Sequence, residues 1–134
     1  MGNEIVNDKS WDKTIFQSAM GLYTDANNYA NFLIAIMENK GLKKESFNEM
    51  LKEQVQLPED DKERQYSGAT EWGLGFGRKP SVYGINYLHE GSTWGYTSSF
   101  MINKEKKFGY IFFTNSNNQG ELIHRMENFL INGK

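Results

Sequence analysis

The stretch GINYLHEGSTWGYTSSF, residues 84–100, contains the residues whose types and spacing are best suited to chemistry. His89 and Gly91 stand in a run that alternates like a β-strand, and Ser92 and Thr93 follow directly. An imidazole can donate hydrogen bonds and exchange protons near neutral pH. A glycine within a strand lets another backbone approach closely, because it has no Cβ. Residues 89–93 are therefore the first candidate for a binding or catalytic site.

The composition limits the other kinds of chemistry. The net charge of −2 gives no electrostatic reason to bind nucleic acid or an anionic membrane. The chain has no cysteine, which excludes thiolate chemistry and disulfides. Its two histidines, His89 and His124, are far apart, and neither stands in a ligand-spaced cluster, so we predict no metal site and no cofactor. No apolar run is long enough to span a bilayer, and residues 1–11 lack the apolar core of a signal peptide, so the compartment is left open.

The segments before this stretch predict helices. Residues 22–41 carry an apolar stripe that begins after a possible cap at Thr24 or Asp25 and stops near Gly41. Residues 43–55 form a second amphipathic pattern. Residues 56–70 are charged and contain a proline, which predicts a surface loop.

The remaining segments predict a sheet and a closing helix. Strands are expected over 72–77, 83–91, 96–103 and 108–115, and the turn KEKK joins the last two. Residues 108–115 are nearly all apolar, which is typical of a strand covered on both faces and not of an edge strand. A helix is expected over 120–131. The predicted class is α+β, with an antiparallel sheet of three to four strands flanked by helices.

These segments, taken in order over residues 18–131, resemble the C-terminal part of serine β-lactamases and penicillin-binding-protein-like enzymes. The matching pieces are SAMGLYTDANNYANFLIAIM, LKKESFNEMLKEQV, WGLGFG, HEGSTWGYTSSFMINKEKKFGYIFFTNS and the final helix. In this family one strand of the sheet carries a K-T-G motif. Many relatives of the class C-like branch have H-x-G instead, and His89-Glu90-Gly91 stands at that position. The resemblance implies the C-terminal portion of a β-lactamase/transpeptidase-like fold.

The resemblance also implies roles for individual residues. His89 would be the catalytic residue, pointing into the cleft beside the nucleophile. Gly91, Ser92 and Thr93 would bind substrate, and the backbone N–H of Ser92 would be an oxyanion-hole donor, typically worth about 3 kcal/mol of barrier. In the intact enzyme a serine would attack a peptidoglycan-type peptide, a β-lactam or a small ester, giving an acyl-enzyme that water resolves.

The nucleophile region of the family has no convincing counterpart here. Ser10-Trp11-Asp12-Lys13 and Tyr29-Ala30-Asn31 match the family's S-x-x-K and Y-x-N motifs as text. They lie too close together and too close to the H-x-G, and such short matches arise by chance. We therefore interpret residues 1–134 as a single partial domain, with 1–17 as a flexible segment or linker, and expect it to be inactive alone.

The missing region has consequences for partners. In the family, the chain's first strands pair beside the last strand of the sheet. Residues 108–114 would otherwise be an exposed apolar edge, so we expect binding of the missing N-terminal half or self-association through this strand. The short segment NEIV near the N-terminus is another possible cover for this edge.

Two other functions remain open. One is a non-catalytic helix-on-sheet module that holds a peptide, glycan or protein on its aromatic strands. The other is half of a split enzyme, completed by another chain. A structural role for His89 also remains open, because a single histidine in a strand is more often a hydrogen-bonded structural residue than a catalytic one. Ser98 and Ser99 are interpreted as ordinary strand residues, and His124 as a surface residue.

Overall fold

The structure, a computed structural model, describes residues 21–93, 95–116 and 120–132. Within these residues it is an α+β fold, as predicted, with one antiparallel sheet in the order β1-β2-β3-β4-β5-β6. The helices are α1 Ala26–Met37, α2 Lys44–Leu51, α3 Lys62–Ser67 and α4 Gly120–Asn132. The strands are β1 Val55–Gln56, β2 Glu71–Trp72, β3 Gly77–Ser81, β4 Gly84–Thr93, β5 Tyr96–Asn103 and β6 Phe108–Thr114.

Helices α1 and α2 form where the apolar pattern predicted them. The side chain of Asp25 caps α1 by accepting a hydrogen bond of 2.9 Å from the backbone N–H of Asn28. Helix α2 ends at Leu51, earlier than the predicted residue 55. The residues that follow it pair with β2, in the register Val55↔Trp72, and so become β1.

The prediction of a loop over residues 56–70 is wrong for its second half, which forms α3. Asp61 caps this helix by accepting hydrogen bonds from the N–H groups of Glu63 and Arg64. Gly68 ends it in the left-handed region, at φ 75°. The sequence of this helix, KERQYS, has no apolar stripe, so only the capping residues Asp61 and Gly68 could have indicated a helix here.

The prediction of three to four strands is also wrong, because the described residues form six. The segment predicted as one strand, 72–77, contains a tight turn, closed by a 2.8 Å hydrogen bond from Gly73 N–H to the Phe76 carbonyl. The returning strand β3 has the sequence GRKPS, which has no alternating apolar pattern. The other three predicted strands correspond to β4, β5 and β6.

The sheet is packed on both faces. One face and helices α1 and α2 enclose a buried cluster of Leu33, Ile36, Phe47, Leu51, Phe76, Phe100 and Ile102. The other face, with helix α4, encloses Ala69, Leu88, Met101, Tyr110 and Ile123. Strand β6 contacts α1 and α4, so it is covered on both faces, as predicted. Its apolar pattern also predicted a strand away from the sheet edge, but among the described residues β6 is the last strand of the order.

Several predictions fall on the N-terminal segment. The expected linker over 1–17, the text match Ser10–Lys13 and the segment NEIV lie outside the described residues. Among the helices of the described ranges, none has the length and apolar character needed to cross a bilayer.

Candidate functional site: the open edge of strand β4

Strand β4 extends beyond the end of its neighbour β3. Its pairing with β3 starts at Ser81↔Gly84 and ends at Gly77↔Leu88. Its pairing with β5 continues to Thr93↔Tyr96. Residues 89–93 therefore pair with β5 on one side, while no register pair with β3 covers their other side. The predicted site residues all lie on this extension.

The register fixes the direction of each backbone group along β4. Two-residue connections join Ser81 to Gly84 and Thr93 to Tyr96, and the residues flanking such a connection form a hydrogen-bonded pair. Hydrogen-bonded pairs alternate along an antiparallel ladder. Odd-numbered residues of β4 therefore bond to β5, and even-numbered residues point toward β3. It follows that the N–H of Ser92 points out from the sheet edge beyond the start of β3.

The imidazole of His89 lies exposed on the sheet face that carries α1 and α2. Its ring meets Trp72 edge to face, with centroids 5.4 Å apart, and stacks on Phe100 at 6.5 Å. Phe100 is its partner across the ladder, and Trp72 comes from β2. The two aromatic rings hold the imidazole beside the open edge without burying it.

Gly91 lies directly opposite Ser98 on the same face. A Cβ at position 91 would stand 2.9 Å from the Ser98 hydroxyl oxygen, so a side chain there would collide with it. Thr93 and its partner Tyr96 are both exposed at the end of this row. The predicted residues are thus brought together, and Ser98 joins them. Counting outward from the two-residue connection would have identified this pairing from the sequence.

Glu90 points to the opposite face of the sheet. It lines a pocket of about 110 Å³ between α3, α4 and the strands. The other lining residues are Tyr66, Ser67, Lys79, Gly120, Ile123, His124 and Glu127. His124 is exposed, as predicted, and accepts or donates a 3.1 Å hydrogen bond with Asn128.

The electrostatics of this pocket act on Glu90. Burial raises the pKa of the Glu90 carboxyl, and the nearby carboxylates of Glu63 and Glu127 raise it further. A hydrogen bond from Tyr66 and the charge of Lys79 oppose this shift in pKa. Lys79 is already engaged by Glu127, at 2.7 Å between Nζ and Oε2. The Oε2 atom of Glu90 is buried, and no residue in the described part of the chain forms a hydrogen bond with it.

The exposed face of this edge can hold an extended ligand and polarise a carbonyl. An outward N–H, an exposed imidazole and a hydroxyl stand along this strand. In the described ranges, no three or more His, Cys, Asp or Glu side chains are grouped so as to hold a metal ion. Local pattern in the sequence did not indicate that β3 leaves the Ser92 N–H without a pairing residue, because that depends on where β3 begins.

Comparison with known proteins found no match among family models, curated proteins or solved structures.

Proposed function

We propose that this chain is the C-terminal α+β part of a penicillin-binding-protein/β-lactamase-like serine hydrolase. The observation that carries the proposal is the extension of β4 beyond β3, which turns the N–H of Ser92 outward next to an exposed His89. In an acyl-transfer enzyme, a donor in that position binds the oxyanion of the tetrahedral intermediate.

Each residue of the edge has a part in this reaction. A substrate carbonyl accepts the hydrogen bond from Ser92 N–H while the rest of the substrate lies along residues 89–93. His89 and Ser98 supply hydrogen bonds from the same face, where the absence of a Cβ at Gly91 makes room for the Ser98 hydroxyl. The attacking serine and the groups that take its proton would come from a polypeptide segment outside this sequence. A D-Ala-D-Ala-type peptide, a β-lactam or a small ester is the proposed substrate of the complete enzyme.

Strand β6 is the proposed attachment point of that missing half. It ends the strand order of the described residues, and none of its residues, FGYIFFT, is charged. Unpaired apolar edge strands accept a further strand readily. A complementing polypeptide would extend the sheet here, whether it is the front part of one protein or a separate chain of a split enzyme.

The test is hydrolysis of a chromogenic β-lactam and a p-nitrophenyl ester. We expect no turnover by the purified chain and turnover after addition of the polypeptide encoded immediately upstream of Met1. In that mixture, Ser92→Pro removes the N–H and should lower kcat by a factor of about 10² to 10³. Ser92→Ala keeps the N–H and is the matched control, expected to retain activity. Turnover by the chain alone, or equal activity of the two variants, would contradict the proposal.

A non-catalytic binding module is the second candidate, favoured by the aromatic side chains around the same edge. Trp72 packs on His89, and Tyr96 is 64% exposed at the far end of the row. An extended peptide could add as a strand to residues 89–93 and place its side chains between these rings. Saturable peptide binding that is lost in Ser92→Pro, without turnover in any mixture, would favour this function.

A further inference from the structure

Strand β6 has a self-complementary outer edge. Its hydrogen-bonded pairs with β5 continue the alternation set by the β4–β5 connection, so Phe108, Tyr110, Phe112 and Thr114 bond to β5. The N–H and C=O groups of Gly109, Ile111 and Phe113 therefore point outward. Ile111 is the middle residue of the strand, with one outward-pointing residue on either side.

We propose that a second copy of this chain pairs with β6 across a twofold axis at Ile111. In this antiparallel register Ile111 faces the partner's Ile111, and Phe113 faces the partner's Gly109. Both pairs are hydrogen-bonded pairs in which all outward backbone groups meet a partner. If one of the two β6 strands were shifted by one residue, the outward N–H and C=O groups of one strand would face residues whose own groups point away, and these hydrogen bonds would be lost. The inference does not depend on the proposed function: the second copy occupies this edge in the isolated chain, and a complementing polypeptide would replace that copy in the complete enzyme.

Side-chain sizes agree with this register. Phe113 is 40% exposed, although it packs on Tyr29 of α1 with ring centroids 5.9 Å apart. The pairing sets this large ring on the same face as the partner's Gly109, which has no side chain. Because of the twofold axis, the contact between Phe113 of one copy and Gly109 of the other occurs twice. An isologous interface requires such a match of a surface with itself.

The helices leave further apolar surface beside this edge. On α4, the pocket residues Gly120, His124 and Glu127 face β3 and β4. Leu122 and Phe129 are one heptad apart on the opposite flank of α4, which faces the β6 side. Both are exposed, Phe129 by 66%. Phe32 of α1 is also exposed and packs on Tyr29. A second copy would cover part of this apolar surface, and β6 itself carries no charge that would oppose its approach.

Hydrogen exchange of the full chain over a dilution series, read by NMR at single amides, tests the register. The amides of Tyr110, Phe112 and Thr114 should be protected at every concentration, because they bond to β5. The amides of Gly109, Ile111 and Phe113 should gain protection only as the dimer forms in sedimentation velocity. Protection of these three amides in a monomer would mean that another segment of this chain covers the edge, and would overturn the proposal. A monomer at every concentration with these amides exchanging freely would overturn it too.

Two variants should weaken pairing at the β6 edge, one by removing a backbone donor and the other by adding a charge. Ile111→Pro removes an outward N–H and leaves the bonds to β5, since proline is tolerated on an edge strand. Phe113→Lys places a charge in the interface and should weaken dimerisation by about tenfold or more. Val82→Lys, at an 85% exposed position in the β3–β4 connection, adds the same charge elsewhere and should leave the dimer intact. A dimer that persists unchanged in Phe113→Lys would assign the interface to another surface and refute this one.

Discussion

Gly91 and Ser98 face each other across the β4–β5 ladder, and the Ser98 hydroxyl occupies the space that a side chain at position 91 would need. A similar constraint operates at Gly109, where an added Cβ would come within 2.4 Å of the Met101 carbonyl oxygen. The two obstacles differ in kind. A serine hydroxyl can rotate about one bond, whereas a backbone carbonyl in the sheet cannot move without breaking pairing.

This difference predicts unequal costs for two glycine substitutions. Gly91→Ala should lower the free energy of unfolding by about 1 kcal/mol, and Gly109→Ala by about 3 kcal/mol. Urea unfolding measures both. The double variant Gly91→Ala/Ser98→Ala should be less destabilised than the sum of its single variants, because the colliding hydroxyl is gone. Equal losses at positions 91 and 109 would contradict the packing described here.

Replacing His89 separates a functional histidine from a structural one. Because the imidazole is exposed, His89→Ala should change the free energy of unfolding by less than about 1 kcal/mol. If the proposed hydrolase is reconstituted by a complementing polypeptide, His89→Ala should lower its kcat by a factor of about 10² or more. His124→Ala, at an exposed position on α4, is the control and should affect neither quantity. A large loss of stability in His89→Ala without a specific loss of activity would support the structural interpretation.

The carboxyl of Glu90 should make stability fall with rising pH. Its pKa is raised in the folded chain, so the folded state holds this proton at a pH where the unfolded state has released it. The contribution of Glu90 is complete below its ordinary pKa of 4.5 and is lost as pH rises through the higher folded value. Glu90→Gln should abolish this loss and become more stable than the wild type toward neutral pH. Chemical denaturation between pH 4 and pH 8 measures the difference.

The control for that experiment is Glu53→Gln, which removes the same charge at an exposed position. Its stability relative to the wild type should change little over this range of pH. A Glu90→Gln variant that tracks the wild type across the whole range would show that the pocket does not retain the proton.

Arg78 joins α2, β2 and β4, and its loss should be costly. Its guanidinium bonds to Glu71 at 2.8 Å, donates to the Leu51 carbonyl and lies 5.9 Å from the centre of the Tyr87 ring. The Arg78 and Glu71 side chains are only 15% and 21% exposed. Arg78→Met should therefore destabilise the chain by about 2–4 kcal/mol, because it leaves a carboxylate in a largely buried place. Thermal or urea unfolding measures the loss.

The double variant Arg78→Met/Glu71→Gln tests whether the unpaired Glu71 carboxylate causes the loss of stability in Arg78→Met. If the unpaired carboxylate causes most of the loss, removing its charge should recover part of the stability. Since Glu71 adjoins Trp72, the ring that packs on His89, the single variant should also alter the environment of that histidine, seen in its NMR shifts. No recovery in the double variant would point to lost packing of the arginine stem instead.

The sequence predicted the strongly patterned parts of this fold and missed the polar ones. Helix α1 and the central strands have clear apolar periods, and the β4–β5 connection has turn residues that are easily recognised. Strand β3 was missed because Arg78, Lys79 and Pro80 carry no apolar alternation, and its stability comes from pairing with β4. Helix α3 was missed because six residues between Asp61 and Gly68 contain little apolar surface.

The candidate site was predictable in position but not in shape. Residues 89–93 stood out by type and spacing alone. Whether β3 pairs with Ser92 depends on where β3 begins, and β3 was the missed strand. The inward side chain of Glu90 depends on the strand face that α4 covers, which local periodicity does not specify. Long-range contacts decide both features.

The alternation along β4 restricts how this protein can change length. Inserting one residue between Ser92 and Thr93 would send the imidazole toward α4, bring the carboxyl of position 90 onto the face that carries α1 and α2, and turn the amide of position 92 toward β5. A change of two residues would keep every group on its own side. Homologues of this chain should therefore tolerate even-numbered length changes between the histidine and the connection to β5, and reject odd-numbered ones.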